Sequence, residues 1–418
     1  MLSKTLLNIF YSISLSAFGV LLTIIFQLKV SEQTDDQTFG QFSLLYTTIT
    51  VLSTLCLFGN HVYVNKIIPT INQNLKLLAK RHTIIVVLIS TAFVGITFFI
   101  TFNFFTPTGY SYISSVTLLF LATLLFKNLN QISSIIIQSE GDTIKSKIYG
   151  LVLPTLVSLI AILFFNNSQS TLNTVFIYLF IGYLIATIPA LIFTKALDKK
   201  QGGALYFTIE DFKKMFIILM SAQVFLLLRR VNVFIVNTSL GDVLTGYYTV
   251  CITLSGLGFF ITNSINNVTS PIISNHLHKE NKSLLRKTIF TGTAVSFVGT
   301  LFLGIILFVF GERILSLYGE GFHKAFWPMI ILFMGQAITS LLGPSDIILF
   351  LLGKEKTVIV LASFFLTLNI VISFIASKNV GFEGVAITQA LSNVFLYLIL
   401  SIYLKSKFSI NSTVFQKY

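Results

Sequence analysis

The 418-residue chain is short of charge, above all of acids, and short of the residues that build most catalytic and metal sites. Only 15 residues are Asp or Glu against 28 Lys or Arg, and charged residues make up 10% of the whole. There are 2 cysteines, 5 histidines, 7 prolines and 1 tryptophan. Cys56 and Cys251 both fall in apolar stretches, which argues against a disulfide framework and against a thiolate metal site. His276 and His278 form an HxH pair with no third or fourth ligand, and His61, His82 and His323 stand apart, so no metal site is expected. No Walker motif, nucleophile constellation or close carboxylate pair occurs, and no cofactor is expected. Gly202-Gly203 follows no strand and reads as a flexible linker rather than a phosphate cradle. The pattern is that of a protein that is not an enzyme.

What is abundant is apolar surface: 54% of the residues are hydrophobic and mean hydropathy is +0.86. A soluble protein of this size does not have that composition, whereas a polytopic membrane protein does. Twelve apolar runs are long enough to span a bilayer, which takes roughly 20 residues each: about 6–28, 39–59, 83–105, 112–137, 148–165, 172–194, 215–239, 245–270, 288–310, 325–351, 357–376 and 384–404. The first reads as a membrane helix rather than a cleavable leader, because further spans follow it directly. An even number of spans puts both termini on one side. The N-terminus, the loops 60–82, 138–147, 195–214, 271–287 and 352–356, and the C-terminal tail hold 21 of the Lys and Arg residues. The opposite set holds four, Lys29, Arg313, Lys324 and Lys378. By the positive-inside rule both termini are cytoplasmic. The basic excess is therefore a signature of topology, and no nucleic-acid partner is expected. The longest loop on the far side runs only from Gly311 to Lys324, too little to hold the catalytic groups of a membrane glycosyltransferase or polymerase.

The hydrophilic connection from Lys195 to Lys214 divides the chain into an N-terminal half, 1–200, and a C-terminal half, 201–418, of six spans each. Landmarks recur between them. Phe39-Gly40-Gln41-Phe42 opens the second span and Thr245-Gly246-Tyr247-Tyr248 the eighth, Pro69 answers to Pro271, and Gly141 after the fourth span answers to Gly353 after the tenth. Similar offsets at three places indicate a parallel six-plus-six repeat, an architecture common in transporters with a site at the repeat interface.

The unusual residues are charges inside spans. The seventh, MFIILMSAQVFLLLRRVNVFIVNTSL, carries Arg229 and Arg230 in its middle. A charge at that depth costs at least ~2.5–3.5 kcal/mol, so it faces a wet cavity or a partner rather than lipid. Gln223, Arg230 and Asn237 recur every seven residues and share a helical face, which makes Arg230 the more central of the pair. In the fourth span Thr123, Lys127, Gln131, Ser134 and Gln138 form a continuous polar stripe with Lys127 near mid-membrane, some ten residues from either end and beyond comfortable snorkelling reach. The first span carries Asn8, Ser12, Ser16, Gly19, Thr23 and Gln27 and the second Ser43, Thr47, Thr50 and Thr54, stripes that serve helix packing as often as a cavity. The eighth has Thr249, Thr253, Gly256, Asn263 and Asn267 towards one side, and the tenth has Gln336, Ser340, Gly343-Pro344 and Asp346. Asp346 is the one acid within a span: a cation or proton site, the partner of a buried cation, or an interfacial acid if Pro344 ends the helix early.

The order and spacing of Phe39-Gly40 with Gly59, Gly241-Asp242-Val243 through Gly246-Tyr247-Tyr248 with Pro271, GEGFHKAF from Gly319 to Phe326, Gly353-Lys354, Asn369, and Gly381 to Ala386 (GFEGVA) resemble the multidrug/oligosaccharidyl-lipid/polysaccharide (MOP) exporter superfamily, specifically its Wzx-type polysaccharide flippases. The resemblance implies an all-α protein of twelve helices in two pseudosymmetric six-helix bundles around a central cavity, lined by helices one, two, seven and eight. It implies a bacterial inner-membrane flippase that moves undecaprenyl-diphosphate-linked oligosaccharide, an O-antigen or capsular unit, to the periplasmic leaflet. The implied partners are that lipid-linked oligosaccharide, H+ or Na+ as coupling ion, and polysaccharide polymerase or chain-length proteins in the same membrane. In that reading Arg230, Arg229 and Lys127 hold the diphosphate, Gln223, Asn232, Asn237, Thr123, Gln131 and Ser134 line the cavity, and Asp346 is the candidate for ion coupling. Members of the group often have an acid a few residues beyond the arginine of the seventh helix, where this chain has Asn232. The alternative within the superfamily is a multidrug or organic-cation exporter, which calls for acidic rather than cationic cavity groups. A membrane glycosyltransferase or polymerase is a more distant alternative.

Overall fold

Inside a bilayer every backbone N–H and C=O must be satisfied within the protein, so long apolar runs with few breakers become helices. A computed structural model of the chain describes residues 2–105, 111–165, 170–194, 196 and 207–415, and among these the regular structure is entirely helical. The Gly202-Gly203 linker and the side chain of Asn8 lie outside the described residues. Twelve segments among the described residues are long and apolar enough to cross a membrane, as expected. In chain order the helices are α1 (Leu2–Gln33), α2 (Asp36–Cys56), α3 (Asn60–Ile67), α4 (Gln73–Phe105), α5 (Ser111–Ser139), α6 (Thr143–Lys147), α7 (Leu153–Phe164), α8 (Leu172–Thr194), α9 (Ile209–Leu240), α10 (Asp242–His278), α11 (Lys282–Ser316), α12 (Phe326–Leu342), α13 (Ser345–Leu351), α14 (Glu355–Asn379) and α15 (Phe382–Phe408). A π-helical turn, Ile148–Val152, joins α6 to α7 within the fifth span, and a 3₁₀ turn, Glu320–Ala325, leads into α12.

The described chain divides into two compact units, Met1–Gln223 and Val224–Tyr418. The division falls inside α9 rather than in the connection 195–214, because the first turns of α9 are bound to the N-terminal unit. Gly59, in the left-handed region at φ +74°, leaves room for the backbone of Met215, whose carbonyl oxygen would lie 2.1 Å from a Cβ there. The Tyr63 hydroxyl donates to Asp211, and the rings of Phe58 and Phe212 meet edge to face.

Within the N-terminal unit α5 is central, packed on α8, α4 and α2, and 61% of its span is buried. An aliphatic cluster of Val64, Ile68, Val87, Ile132 and Ile136 joins α3, α4 and α5. Gly150 in the π turn packs on Ser134: a Cβ there would lie 2.2 Å from the Ser134 hydroxyl. α4 presents Ile89, Phe93 and Ile96 outward, the pattern of a lipid-facing helix.

In the C-terminal unit α12 packs on α15, α10 and α11, and α14 packs on α15. Here α10 is the enclosed helix, 61% of its span buried, while α11 is 22% buried and turns Val298, Phe302 and Val309 outward. The tenth span was expected over 325–351, with Pro344 as a point where its helix could end early. α12 ends at Leu342, Gly343 takes φ +78°, and a separate helix α13 begins after Pro344. Pro lacks the N–H that would continue the ladder, and the glycine allows the turn. The carbonyls freed by this break are taken up by the C-terminal tail. α15 stops at Ser409 in the left-handed region (φ +55°), and the tail folds back so that Val414 N–H donates to Leu341 O at 3.2 Å and Ser412 Oγ to Leu342 O at 2.8 Å. The Ser345 and Ser401 hydroxyls lie 2.8 and 3.0 Å from Ser412 Oγ, and Thr293 Oγ1 donates to Ser412 O at 3.0 Å.

Candidate functional site

In the N-terminal unit the fourth-span stripe on α5 splits between two packing partners. Lys127, buried, donates from Nζ to Thr50 Oγ1 at 3.2 Å and stands 5.4 Å over the Tyr46 ring, so α2 carries two groups that receive its charge. Gln131 Oε1 lies 2.8 Å from Ser53 Oγ, which is also 2.5 Å from Asn128 Oδ1. Asn128 in turn donates to Thr91 Oγ1 at 3.0 Å, tying α2, α5 and α4 together. The other half of the stripe turns elsewhere. Ser134 Oγ donates to Ser146 O at 2.7 Å, and the fully buried Thr123 bonds back to Leu119 O at 2.7 Å. On α2, Ser43 Oγ and Thr47 Oγ1 are buried without a hydrogen-bond partner among the described residues, as are Gln27 Oε1 of α1 and Gln223 Oε1 of α9.

In the C-terminal unit a cavity of about 230 Å³ opens between α9, α10, α12, α13 and α15. Arg229 lines it, with its guanidinium 4.2 Å from the centroid of the Phe259 ring on α10. Asp346 lines it too, from the first turn of α13, and accepts a hydrogen bond from Tyr397 OH of α15 at 3.2 Å. Asn263, Asn266, Gln336 and Asn393 contribute amides to the same wall. Asp346 reaches it from the short helix that follows the break at Gly343-Pro344. Arg230, half-buried, does not line this cavity.

Beside the cavity lies a second polar group. Asn232, fully buried, donates to Asn369 Oδ1 at 3.2 Å and to Gln389 Oε1 at 3.1 Å. Gln389 also accepts from Tyr248 OH at 2.8 Å and donates to Arg229 O at 3.3 Å, and Ser373 Oγ donates to Asn369 Oδ1 at 2.8 Å. Every side chain in this cluster is neutral. Asn237 sits at the end of α9 and donates to Asp242 Oδ1 at 2.8 Å and Thr245 Oγ1 at 3.3 Å, closing the turn into α10.

The structure thus brings Arg229, Asp346, Asn263 and Gln336 into one cavity and Lys127 and Gln131 against α2. Phe259, Asn393 and Tyr397 escaped the reading of the sequence. The spacing of Gln389, Asn393 and Tyr397, four residues each, was the signal for the last two, since it puts three polar groups on one face of an apolar span.

No protein-family model matches the sequence, and no curated protein matches it. Solved structures do. An outward-facing multidrug resistance MATE family transporter of the MOP superfamily aligns with a TM-score of 0.74 at 14% identity over 96% of this chain and 95% of that one. A Vibrio cholerae MATE transporter aligns at 0.70 and 15% identity over 99% of each chain. A MOP superfamily transporter from Pyrococcus furiosus, whose binding pocket is described as reversed in polarity and as suggesting a different function, aligns at 0.72 and 13% identity over 96% and 95%. At such identities what is shared is the fold: this is a multi-pass membrane protein with the twelve-helix fold, in two six-helix halves, of MATE transporters of the MOP superfamily.

Proposed function

We propose that the chain is an exporter that moves an amphiphilic organic solute across the membrane by alternating access, in the manner of the multidrug transporters whose fold it has. The observation that carries this reading is the extent of the structural likeness, 94–99% of the chain in alignments with transporters. Charges within the spans fit a transport role, because each costs free energy in a purely structural helix.

A second reading is favoured by one observation, the sign of those charges. Lys127, Arg229 and Arg230 outnumber the single acid, Asp346, so the polar interior suits an anion better than an organic cation. The cargo in that reading is the lipid-linked oligosaccharide of the flippases that the sequence resembles. Its diphosphate matches guanidinium donors, and its glycan needs a polar path to avoid desolvating many hydroxyls.

One experiment addresses both. The protein is expressed in a bacterial strain lacking its own multidrug exporters and in one lacking its polysaccharide flippase. A several-fold drop in accumulation of fluorescent drugs supports multidrug export. Restored surface polysaccharide with unchanged drug accumulation supports the flippase. Neither effect, with the protein present in the membrane at normal abundance, sinks the exporter reading.

A further inference from the structure

The charged groups that face the C-terminal cavity can be named element by element. α9 supplies Arg229, α13 supplies Asp346 and α15 supplies the ionisable phenol Tyr397, while α10 and α12 supply only neutral groups, Phe259, Thr262, Asn263, Asn266, Gln336 and Thr339. The cavity therefore holds one cation and one anion. The two interact electrostatically, yet they do not touch: the ion pairs closer than 4 Å among the described residues all lie elsewhere. The Arg229 guanidinium carbon stands 4.2 Å from the centroid of the Phe259 ring, and no described residue accepts a hydrogen bond from its N–H groups. A guanidinium without an acceptor, inside a polar cavity, is built to receive an oxyanion.

We propose that this cavity binds a single anionic oxygen group on Arg229 and takes up a proton on Asp346 in the same event. The inference rests on the exporter reading and names its cargo: a solute with a phosphate, sulfate or carboxylate head. Size sets the class. Drug-sized ligands occupy pockets of about 300–1,000 Å³, and a cavity of about 230 Å³ takes a head group rather than a whole amphiphile. Charge balance sets the linkage. Empty, the site is neutral; an anion on Arg229 leaves it with uncompensated negative charge next to the Asp346 carboxylate, and like charges sharing a low-dielectric site raise the proton affinity of one of them. The proton comes from solvent and rests on the Asp346 carboxyl, where Tyr397 stays as a hydrogen-bonding neighbour. An organic cation has no such place here, because Arg229 repels it from Asp346.

The probe is inorganic sulfate, whose charge is constant between about pH 5 and 8, titrated into the purified full-length protein in nanodiscs by calorimetry in two buffers of different ionisation enthalpy. The expected result is affinity that falls up to about tenfold per pH unit as pH rises, with up to one proton taken up per sulfate. Asp346→Asn should bind at the low-pH affinity throughout and take up no proton. Arg229→Gln should not bind, and Arg229→Lys should bind more weakly with the pH slope kept. Each variant is checked for monodispersity and an unchanged melting profile. Absence of sulfate binding, a pH slope that persists in Asp346→Asn, or tetraethylammonium binding that is lost in Asp346→Asn would overturn the proposal. Transport without this linkage refutes the site and leaves the exporter reading intact; linkage without transport does the reverse.

Discussion

The carbonyl oxygen of Ser412 occupies the space next to Gly343 where a side chain would begin, 2.1 Å from an ideal Cβ. The tail that carries Ser412 satisfies the carbonyls of Leu341 and Leu342 at the end of α12. It thereby holds the break between α12 and the short helix α13 that carries Asp346. Gly343→Ala adds a clash to a backbone at φ +78°, ψ −177° that glycine alone adopts readily, which costs roughly 1–3 kcal/mol on its own, and Thr293 Oγ1 at 2.8 Å leaves no room on the other side. The expected outcome is a melting temperature in detergent several degrees below the parent. Deletion of residues 410–418 should lower it similarly, and the two changes together should be less than additive, because both act by releasing the tail.

A second anchor lies in the N-terminal unit. Lys80, with a side chain only 6% exposed, donates to Glu140 and to Thr194 O at 2.9 Å, so it ties α4 to the ends of α5 and α8. Lys80→Met leaves a buried carbonyl and a carboxylate without their donor, at a cost on the order of 1–3 kcal/mol. Glu140→Gln should cost less, since Glu140 is 36% exposed and water replaces part of what is lost. Equal melting temperatures for parent and Lys80→Met would show that the buried ammonium contributes nothing.

Asp142 caps α6 and gives a pH signature outside the spans. Burial pushes its carboxyl up, but the hydrogen bond from the Lys145 ammonium, the Lys145 N–H and the Lys145 charge outweigh it and leave it below the usual 3.8. A depressed carboxyl contributes stability that is present above its unfolded value and lost as pH falls through the folded one. Asp142→Asn should therefore melt slightly below the parent above about pH 4 and match it at lower pH, the difference being small because the pair is exposed. Melting curves across that range that never converge would rule out this ionisation as the cause.

The orientation read from loop charges is open to reporter fusions. Fusions after Thr70, Glu280 and Gly353 should report cytoplasm, and those after Asp35, Gly241 and Gly319 the opposite side. A reversed signal at any two of them would overturn the orientation, though not the helix count.

The spans were legible because hydropathy over twenty residues integrates many weak preferences. The contact of Arg229 with Phe259 was not, because helical periodicity compares a residue with its neighbours on α9, such as Gln223 and Asn237, and Phe259 stands on another helix. The tail was invisible for a different reason. Ser409 to Thr413 is polar apart from Ile410, and its buried Ser412 donates to a carbonyl that only the break after Leu342 exposes. Periodicity reports which face a residue takes on its own helix, and no more than that.

The neutral cluster around Asn232 yields the sharpest single-atom test. Asn232 donates through one nitrogen to the oxygens of both Asn369 and Gln389. Asp in its place donates nothing, so two carboxylate oxygens would face two carbonyl oxygens in a fully buried setting, with Ser373 and Tyr248 already donating to those same carbonyls. Such an arrangement is stable only if the carboxyl is protonated or a hard cation enters among the oxygens. Asn232→Asp should therefore melt several degrees below the parent in potassium-free, sodium-free buffer near neutral pH, and recover with added NaCl or at low pH, whereas choline chloride at the same ionic strength should not help. The parent, in which the Asn232 amide nitrogen donates to both carbonyl oxygens, should respond to none of these. An Asn232→Asp variant as stable as the parent in every buffer would mean that the amide of Asn232 is not what holds α9 to α14 and α15.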